Sequence, residues 1–320
     1  MSFNLIVPVA ADRPEFEDRV PYWMDMHPHG NLFLYEAISG LNLKSFNFIY
    51  ITLLKKHELK YQISDALMLQ FEKVRLIEKL KIVLIESPTQ NQPETVAITI
   101  EQEKIKGAIV IKDADNHFEC NLQPGNFICT YPLDDLTSVN PGNKSYIAID
   151  ESSFITNIIE KKIISRWFCV GAYSFEDSAL FLNYFKKLAA NNKLYISHLI
   201  YAMLLDKINF RPANITNYLD WGREKEWKNF KNQFHTILLP LEFVLSNIDI
   251  VPYLNKLYHS EKVNIAILAG KNNLNNLKQI ENQLKHSLNL KYHYIFSVPY
   301  NGKFSLVKSR KEVINLAEQE

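Results

Sequence analysis

Four apolar, β-branched runs at residues 3-9, 46-52, 80-86 and 107-113 are separated by segments of helical periodicity at 31-39, 57-72 and 93-104. That alternation is the strongest constraint on the fold, because strands separated by a whole helix cannot close as tight hairpins and pair in parallel through crossovers. A doubly wound α/β unit is therefore predicted. From about 126 to 175 the runs shorten and turn signals multiply, at Tyr146-Ile147-Ala148-Ile149, at 155-160 and at 167-175, which predicts antiparallel strands added to the same sheet. Residues 194-206 read as an amphipathic helix, 215-219 as a further strand, and the Trp-rich 223-232 as helical. Beyond 235 the alternation restarts, with strands at 235-239, 262-269, 292-297 and 303-307 and helices at 249-259, 274-288 and 309-318. The expected organisation is a mixed sheet in a domain over residues 1-232 and a second, smaller α/β domain over 233-320.

The 320 residues, 47% hydrophobic and 22% charged, are an ordinary globular composition with enough chain for both cores. Formal net charge is +1 and the basic residues are scattered, so no nucleic-acid or anionic-membrane partner is expected. The N-terminal MSFNLIVPVAADRPEF has no basic leader and only a strand-long apolar run. No segment reaches the roughly 18 consecutive apolar residues of a membrane span, so the chain is expected in the cytoplasm without membrane insertion. Cys120, Cys129 and Cys169 are odd in number and lack CxxC spacing, which implies neither a disulfide framework nor a zinc site. His27-Pro28-His29 has the look of a metal pair but no acidic or cysteine ligand close in sequence.

Function is most legible where the run Ile109-Val110-Ile111 ends in Lys112-Asp113-Ala114-Asp115-Asn116. A strand that delivers carboxylates from its C-terminal end puts them at the ligand-binding edge of an open α/β sheet, where they can hold a divalent cation on phosphates. Alone, an Asp-x-Asp is also a common solvated turn. Four further pieces bear on it: Glu94-Thr95-Val96 opening a helix after Gln90-Asn91-Gln92-Pro93, Glu160-Lys161 ending a strand, Gly171 and Tyr173 in Val170-Gly171-Ala172-Tyr173-Ser174-Phe175, and Tyr218-Leu219-Asp220-Trp221-Gly222. Each has a bland reading: a first helical turn, a surface ion pair, a glycine packed in a twisted strand, a strand stop.

In this order and spacing the pieces resemble the sugar-phosphate nucleotidyltransferase family over about residues 3-230. The resemblance implies a Rossmann-like mixed sheet and transfer of a nucleoside monophosphate from a triphosphate to a sugar phosphate or similar small phosphate, of the kind that feeds capsule or surface-polysaccharide synthesis. It implies Mg2+ held by Asp115 and Asp220, with Asp113 as a further or water-mediated ligand, and Arg13 on the triphosphate. It also implies Lys161 on the acceptor phosphate, Glu160, Gly171 and Tyr173 at the sugar, and Glu94 and Thr95 at the base. The expected partners are a nucleoside triphosphate and a sugar phosphate, with room for a homo-oligomer.

The chain departs from the family after the first strand, where a glycine-rich loop, an arginine and a Pro-Lys pair are expected around the triphosphate. Here Ala10-Ala11-Asp12-Arg13-Pro14-Glu15-Phe16 holds no glycine, Pro21-Tyr22 puts a tyrosine where the lysine belongs, and Asp12 and Glu15 add negative charge. Arg19 and Lys55 are nearby basic residues able to compensate. The C-terminal alternation resembles haloacid-dehalogenase-type phosphatase domains but lacks their aspartate nucleophile. Its first strand leads into Leu239-Pro240-Leu241-Glu242-Phe243, its second into Ala269-Gly270-Lys271, and its lysine region reads Ser297-Val298-Pro299, which implies a domain inactive as a phosphatase. Two other readings stay open: a catalytically impaired nucleotide-sugar-binding or scaffold protein, and a glycosyltransferase that uses Asp-x-Asp on a nucleotide-sugar.

Overall fold

The computed structural model describes residues 3–135, 141–260, 262–268, 277–292, 294–295, 303–306 and 310–319. Ala269-Gly270-Lys271 and Ser297-Val298-Pro299 lie outside the described residues, as does the side chain of Glu15. Contacts group residues 1–24 with 32–220 and residues 25–31 with 221–320.

In the first unit the predicted alternation becomes four parallel strands, β1 (Phe3–Pro8), β2 (Ile49–Leu54), β3 (Leu80–Ile85) and β4 (Ala108–Lys112), in the order β3-β2-β1-β4. Strands β1, β2 and β4 are buried along nearly their whole length, as strands covered on both faces must be. The crossovers are α1 (Phe33–Ser39), α2 (Lys55–Tyr61) with α3 (Ile63–Lys73), and α4 (Gln92–Glu103). The single helix predicted over 57-72 is two, because Gln62 takes a left-handed φ of 51° and interrupts the ladder. Helix α4 starts where Asn91 accepts the Glu94 N–H at 3.0 Å, with Pro93 in the first turn where no donor is needed.

After β4 the chain turns into the short β5 (Asn116–Glu119) and then into β6 (Phe127–Pro132), β7 (Ser145–Ile149), β8 (Ile155–Glu160) and β9 (Trp167–Phe175). Strand β9 runs antiparallel to β4 on one side and to β6 on the other, so the expected antiparallel half is built onto the parallel one through β9. Helix α5 (Ser178–Leu188), which the periodicity did not single out, is capped by Asp177 on the Ala179 N–H at 2.9 Å. Helix α6 (Ile196–Leu205) follows, then β10 (Arg211–Asn214) beside β6, and β11 (Thr216–Asp220). Strand β11 leaves the large sheet and pairs antiparallel with β5, setting Asp220 opposite Asn116.

The second unit carries α7 (Glu224–Lys231), β12 (His235–Pro240), α8 (Leu241–Ser246), α9 (Val251–Tyr258), β13 (Val263–Leu268), α10 (Leu277–Asn282), β14 (Tyr294–Ile295), β15 (Lys303–Leu306) and α11 (Arg310–Gln319). Among its described residues, four strands are parallel in the order β14-β13-β12-β15. The sequence division fell after residue 232, whereas the contacts group 221–232 with the later residues. The cause is an aromatic cluster in which Trp221, Trp227 and Phe230 surround the buried His27 ring at centroid distances of 5.0, 5.7 and 5.2 Å. Asp25 adds hydrogen bonds from Trp227 at 2.8 Å and Lys231 at 3.2 Å. His27 Nδ1 accepts the His29 N–H at 3.1 Å, so that nitrogen is turned to its own chain. Among the described residues no helix is long and apolar enough to cross a membrane.

Candidate active site

The centre of the site is a turn wrapped around a buried lysine. Lys112 ends β4 with no solvent exposure, and its ammonium donates to the Asp113 carbonyl at 2.7 Å, the Asn116 carbonyl at 2.9 Å and the Asn116 side-chain oxygen at 2.8 Å. All three N–H donors are used, which is what makes a fully buried ammonium tolerable. Burial lowers the Lys112 pKa, while Asp113 and Asp115 hold it up. The three bonds fix the backbone from 113 to 116 and thereby aim both aspartates.

Asp113 faces a cleft of about 650 Å³, and its carboxylate is received by Gly171 on β9. Gly171 has φ +78°, its carbonyl accepts the Asp113 N–H at 2.7 Å, and a Cβ there would collide with the Asp113 carboxylate. The missing Cβ at Gly171 thus leaves room for this aspartate. Gln92, at the start of α4, donates to the other Asp113 oxygen. Burial pushes the Asp113 carboxyl well up from the ordinary carboxylate range and Asp115 adds to it, against Lys112, the Gln92 hydrogen bond and Lys144. A carboxylate destabilised in this way is one that a cation would relieve.

Asp115, two residues on, lines a smaller cavity of about 120 Å³ with Arg13, Phe16, Tyr22 and Trp23, and Asp113 and Gln92 border both cavities. The Arg13 guanidinium lies 5.5 Å from the Tyr22 ring centre and 5.9 Å from that of Phe16. Burial and then Asp115 push the Tyr22 phenol far up, so the residue standing where a lysine was expected brings a neutral ring to the wall. The negative charge of Asp12 is met by Lys56 at 2.6 Å, with His57 at 3.6 Å. Lys55 pairs with Glu86 at 2.7 Å.

Asp220 reaches the same end of the sheet because β11 pairs with β5. Its carboxylate accepts Lys144 at 2.6 Å and the Tyr218 hydroxyl at 3.3 Å. Burial raises the Tyr218 phenol, and Asp220, Asp115 and Asp113 raise it further, so all three carboxylates act on one buried group. Carboxylate oxygens are the donor type that a hard divalent cation takes.

Across the large cleft, Glu160 ends β8 and accepts hydrogen bonds from Ser145 and, at 2.8 Å, from Ser197 on α6. Lys161 follows with φ +56°, and its ammonium sits 2.7 Å from the Tyr195 hydroxyl, which raises its pKa. Gly171 and Tyr173 lie two apart on β9 and both line the cleft. Glu94 and Thr95 do not line it: Glu94 accepts the Gln90 N–H at 2.6 Å, and Thr95 is buried against Thr89 at 2.6 Å. They brace the 89–92 loop that does. The sequence reading missed Lys112, Gln92 and Lys144. For Lys112 the signal was a charge closing a buried strand; for Lys144 there was none, since its partner lies 76 residues away.

No protein-family model matches the chain, and no curated protein matches it in sequence. Solved structures do match in fold. The nucleoside-diphosphate-sugar pyrophosphorylase of Vibrio cholerae RC9 superposes with TM-score 0.58 at 16% identity, covering 71% of this chain and 98% of that one. The inositol-1-phosphate CTP transferase of T. maritima gives 0.56 at 9% identity, over 70% of this chain and 90% of that one. A UDP-glucose pyrophosphorylase complexed with UDP-glucose gives 0.54 at 13% identity, over 72% and 97%. The chain thus has an α/β fold whose mixed sheet matches that of these solved nucleotidyltransferase and pyrophosphorylase structures.

Proposed function

We propose that this chain is a metal-dependent nucleotidyltransferase that joins a nucleoside monophosphate from a triphosphate to a sugar phosphate or similar small phosphate. The observation that carries the reading is that Asp113 borders both a cavity lined by Arg13 and Asp115 and a cleft lined by Glu160 and Lys161, while Asp220 pairs in register with Asn116, the residue after Asp115. Asp115 and Asp220 would hold Mg2+, which would neutralise phosphate charge. The protein's own part is positioning: Arg13 faces the triphosphate, Lys161 and Tyr195 meet the acceptor phosphate, and Glu160, oriented by two serines, accepts from sugar hydroxyls. A role in capsule or surface-polysaccharide synthesis is part of the same proposal.

The test is pyrophosphate release with Mg2+ across a panel of nucleoside triphosphates and sugar phosphates, with Asp115→Ala abolishing turnover at unchanged fold. Failure to bind any nucleotide would sink the reading. A second reading, a protein that binds nucleotide-sugar without turnover, is favoured by the neutral Tyr22 at the triphosphate wall; binding with no pyrophosphate released would select it. For the second unit we propose a haloacid-dehalogenase-like origin without phosphatase chemistry. It rests on the parallel order of its strands and on β12 running into Pro240 and Leu241, with Glu242 the acid nearest that strand end.

A further inference from the structure

Lys144 lies in none of the motifs, yet it ties two of them together. Its carbonyl accepts the Lys161 N–H at 3.0 Å, and the next residue, Ser145, pairs in register with Glu160, so its backbone is fixed to the Glu-Lys strand. Its ammonium meanwhile lies 2.6 Å from Asp220 and 2.8 Å from the Tyr218 hydroxyl. Both members of the pair are mostly buried, at 18% and 22% side-chain exposure. The same lysine borders the large cleft in which Lys161 stands.

An ammonium so placed has two anionic partners within its compass: the Asp220 carboxylate and any phosphate entering the cleft. A divalent cation taken by Asp220 changes the balance, since like charges a few ångströms apart in a half-buried site repel strongly. We propose that Lys144 is a positioning residue that exchanges partners. It neutralises Asp220 while no divalent cation is bound, and a cation on Asp220 releases it to the phosphate of the acceptor. Cation and acceptor then reinforce each other's binding, and by linkage the reinforcement is equal in both directions. The exchange rests on the nucleotidyltransferase reading of the same site.

The experiment titrates Mn2+ into the full chain, followed by its paramagnetic resonance, with and without inorganic phosphate, for the wild type, K144M, K144R and D220N. With the competing ammonium removed, K144M binds Mn2+ about threefold or more tighter than the wild type. K144R keeps the charge and stays near the wild type, and D220N binds weakly. Phosphate tightens Mn2+ binding in the wild type, and K144M loses about tenfold of that gain with the charge-assisted hydrogen bond. K144Q provides the same comparison should K144M fail to fold. A lysine of merely structural value would leave metal affinity unchanged or weaker on removal, and that result overturns the exchange while leaving the nucleotidyltransferase reading intact. Wild type and K144M both failing to bind Mn2+ overturns the metal reading as well, and Mn2+ bound by D220N as tightly as by the wild type removes Asp220 from the exchange.

Discussion

Gly171→Ala probes the floor of the site, and its cost can be worked from the geometry. At φ +78° an L-residue carries about 1–2 kcal/mol of backbone strain. The added methyl would also overlap the Asp113 carboxylate, with that residue's Cγ at 2.8 Å and Cβ at 3.0 Å. Asp113 cannot swing away freely, because its N–H is bonded to the Gly171 carbonyl and its far oxygen accepts from Gln92. Relief therefore sacrifices the Gln92 bond, a charged hydrogen bond whose loss costs about 1.5–3 kcal/mol. The sum is about 2.5–5 kcal/mol, or a fall in Tm of roughly 5–20 °C at the scale of a domain of 150–250 residues. Thermal unfolding followed by far-ultraviolet circular dichroism measures it. The decisive comparison is the same substitution in an Asp113→Ala background, where the carboxylate overlap and the Gln92 bond are gone and only the backbone strain and the Cβ contact remain, so the cycle shows a coupling of about 1–3 kcal/mol. Equal costs in the two backgrounds would refute the account of Gly171 as the seat of the Asp113 carboxylate.

Lys112→Met removes the donor shared by three buried acceptors, so stability falls by about 2–4 kcal/mol after the relief of desolvating an ammonium is counted; amide exchange in peptides spanning 113–117 should quicken, and unaltered exchange would contradict the turn's dependence on Lys112. Burial, followed by Lys56, lowers the His57 pKa below the ordinary histidine value, against Asp12 and Glu17. A base that is harder to protonate in the folded state than in the unfolded one contributes stability above about pH 6.5 that is lost as pH falls below that value and through the folded pKa. The urea midpoint of the wild type should accordingly drop between pH 7 and 5 by more than that of His57→Asn, and parallel pH profiles would count against it.

The parallel half of the sheet was readable because its signals are local. Each of β1 to β4 is a compact apolar run, and the helices between them show their own periodicity and caps, as at Asn91 and Pro93. The single-residue break at Gln62 was not readable, since a left-handed glutamine carries no distinguishing pattern. The same distinction divides the site. Asp113, Asp115, Glu160 and Lys161 stand at strand ends, where position alone announces them. Gln92 and Lys144 act through partners 21 and 76 residues distant, and such pairings exist only once the chain is folded. Glu94 and Thr95 show the converse: their place at a helix start was correct, but that place turned their side chains to the loop.

The two-stranded ribbon of β5 and β11 also fixes the order in which the molecule is completed. Strand β4 and its aspartates leave the ribosome about a hundred residues before Asp220, and the strands between them can settle onto the parallel half meanwhile. Until residues 216–220 emerge, β5 lacks the neighbour that pairs with it in this ribbon, and Lys144 lacks its carboxylate. Closing so long a loop is entropically modest but comes late. A nascent chain halted before β11 would therefore hold most of its sheet and a cleft while Lys144 still lacked Asp220, so that ion pair forms as one of the last events of synthesis of this unit.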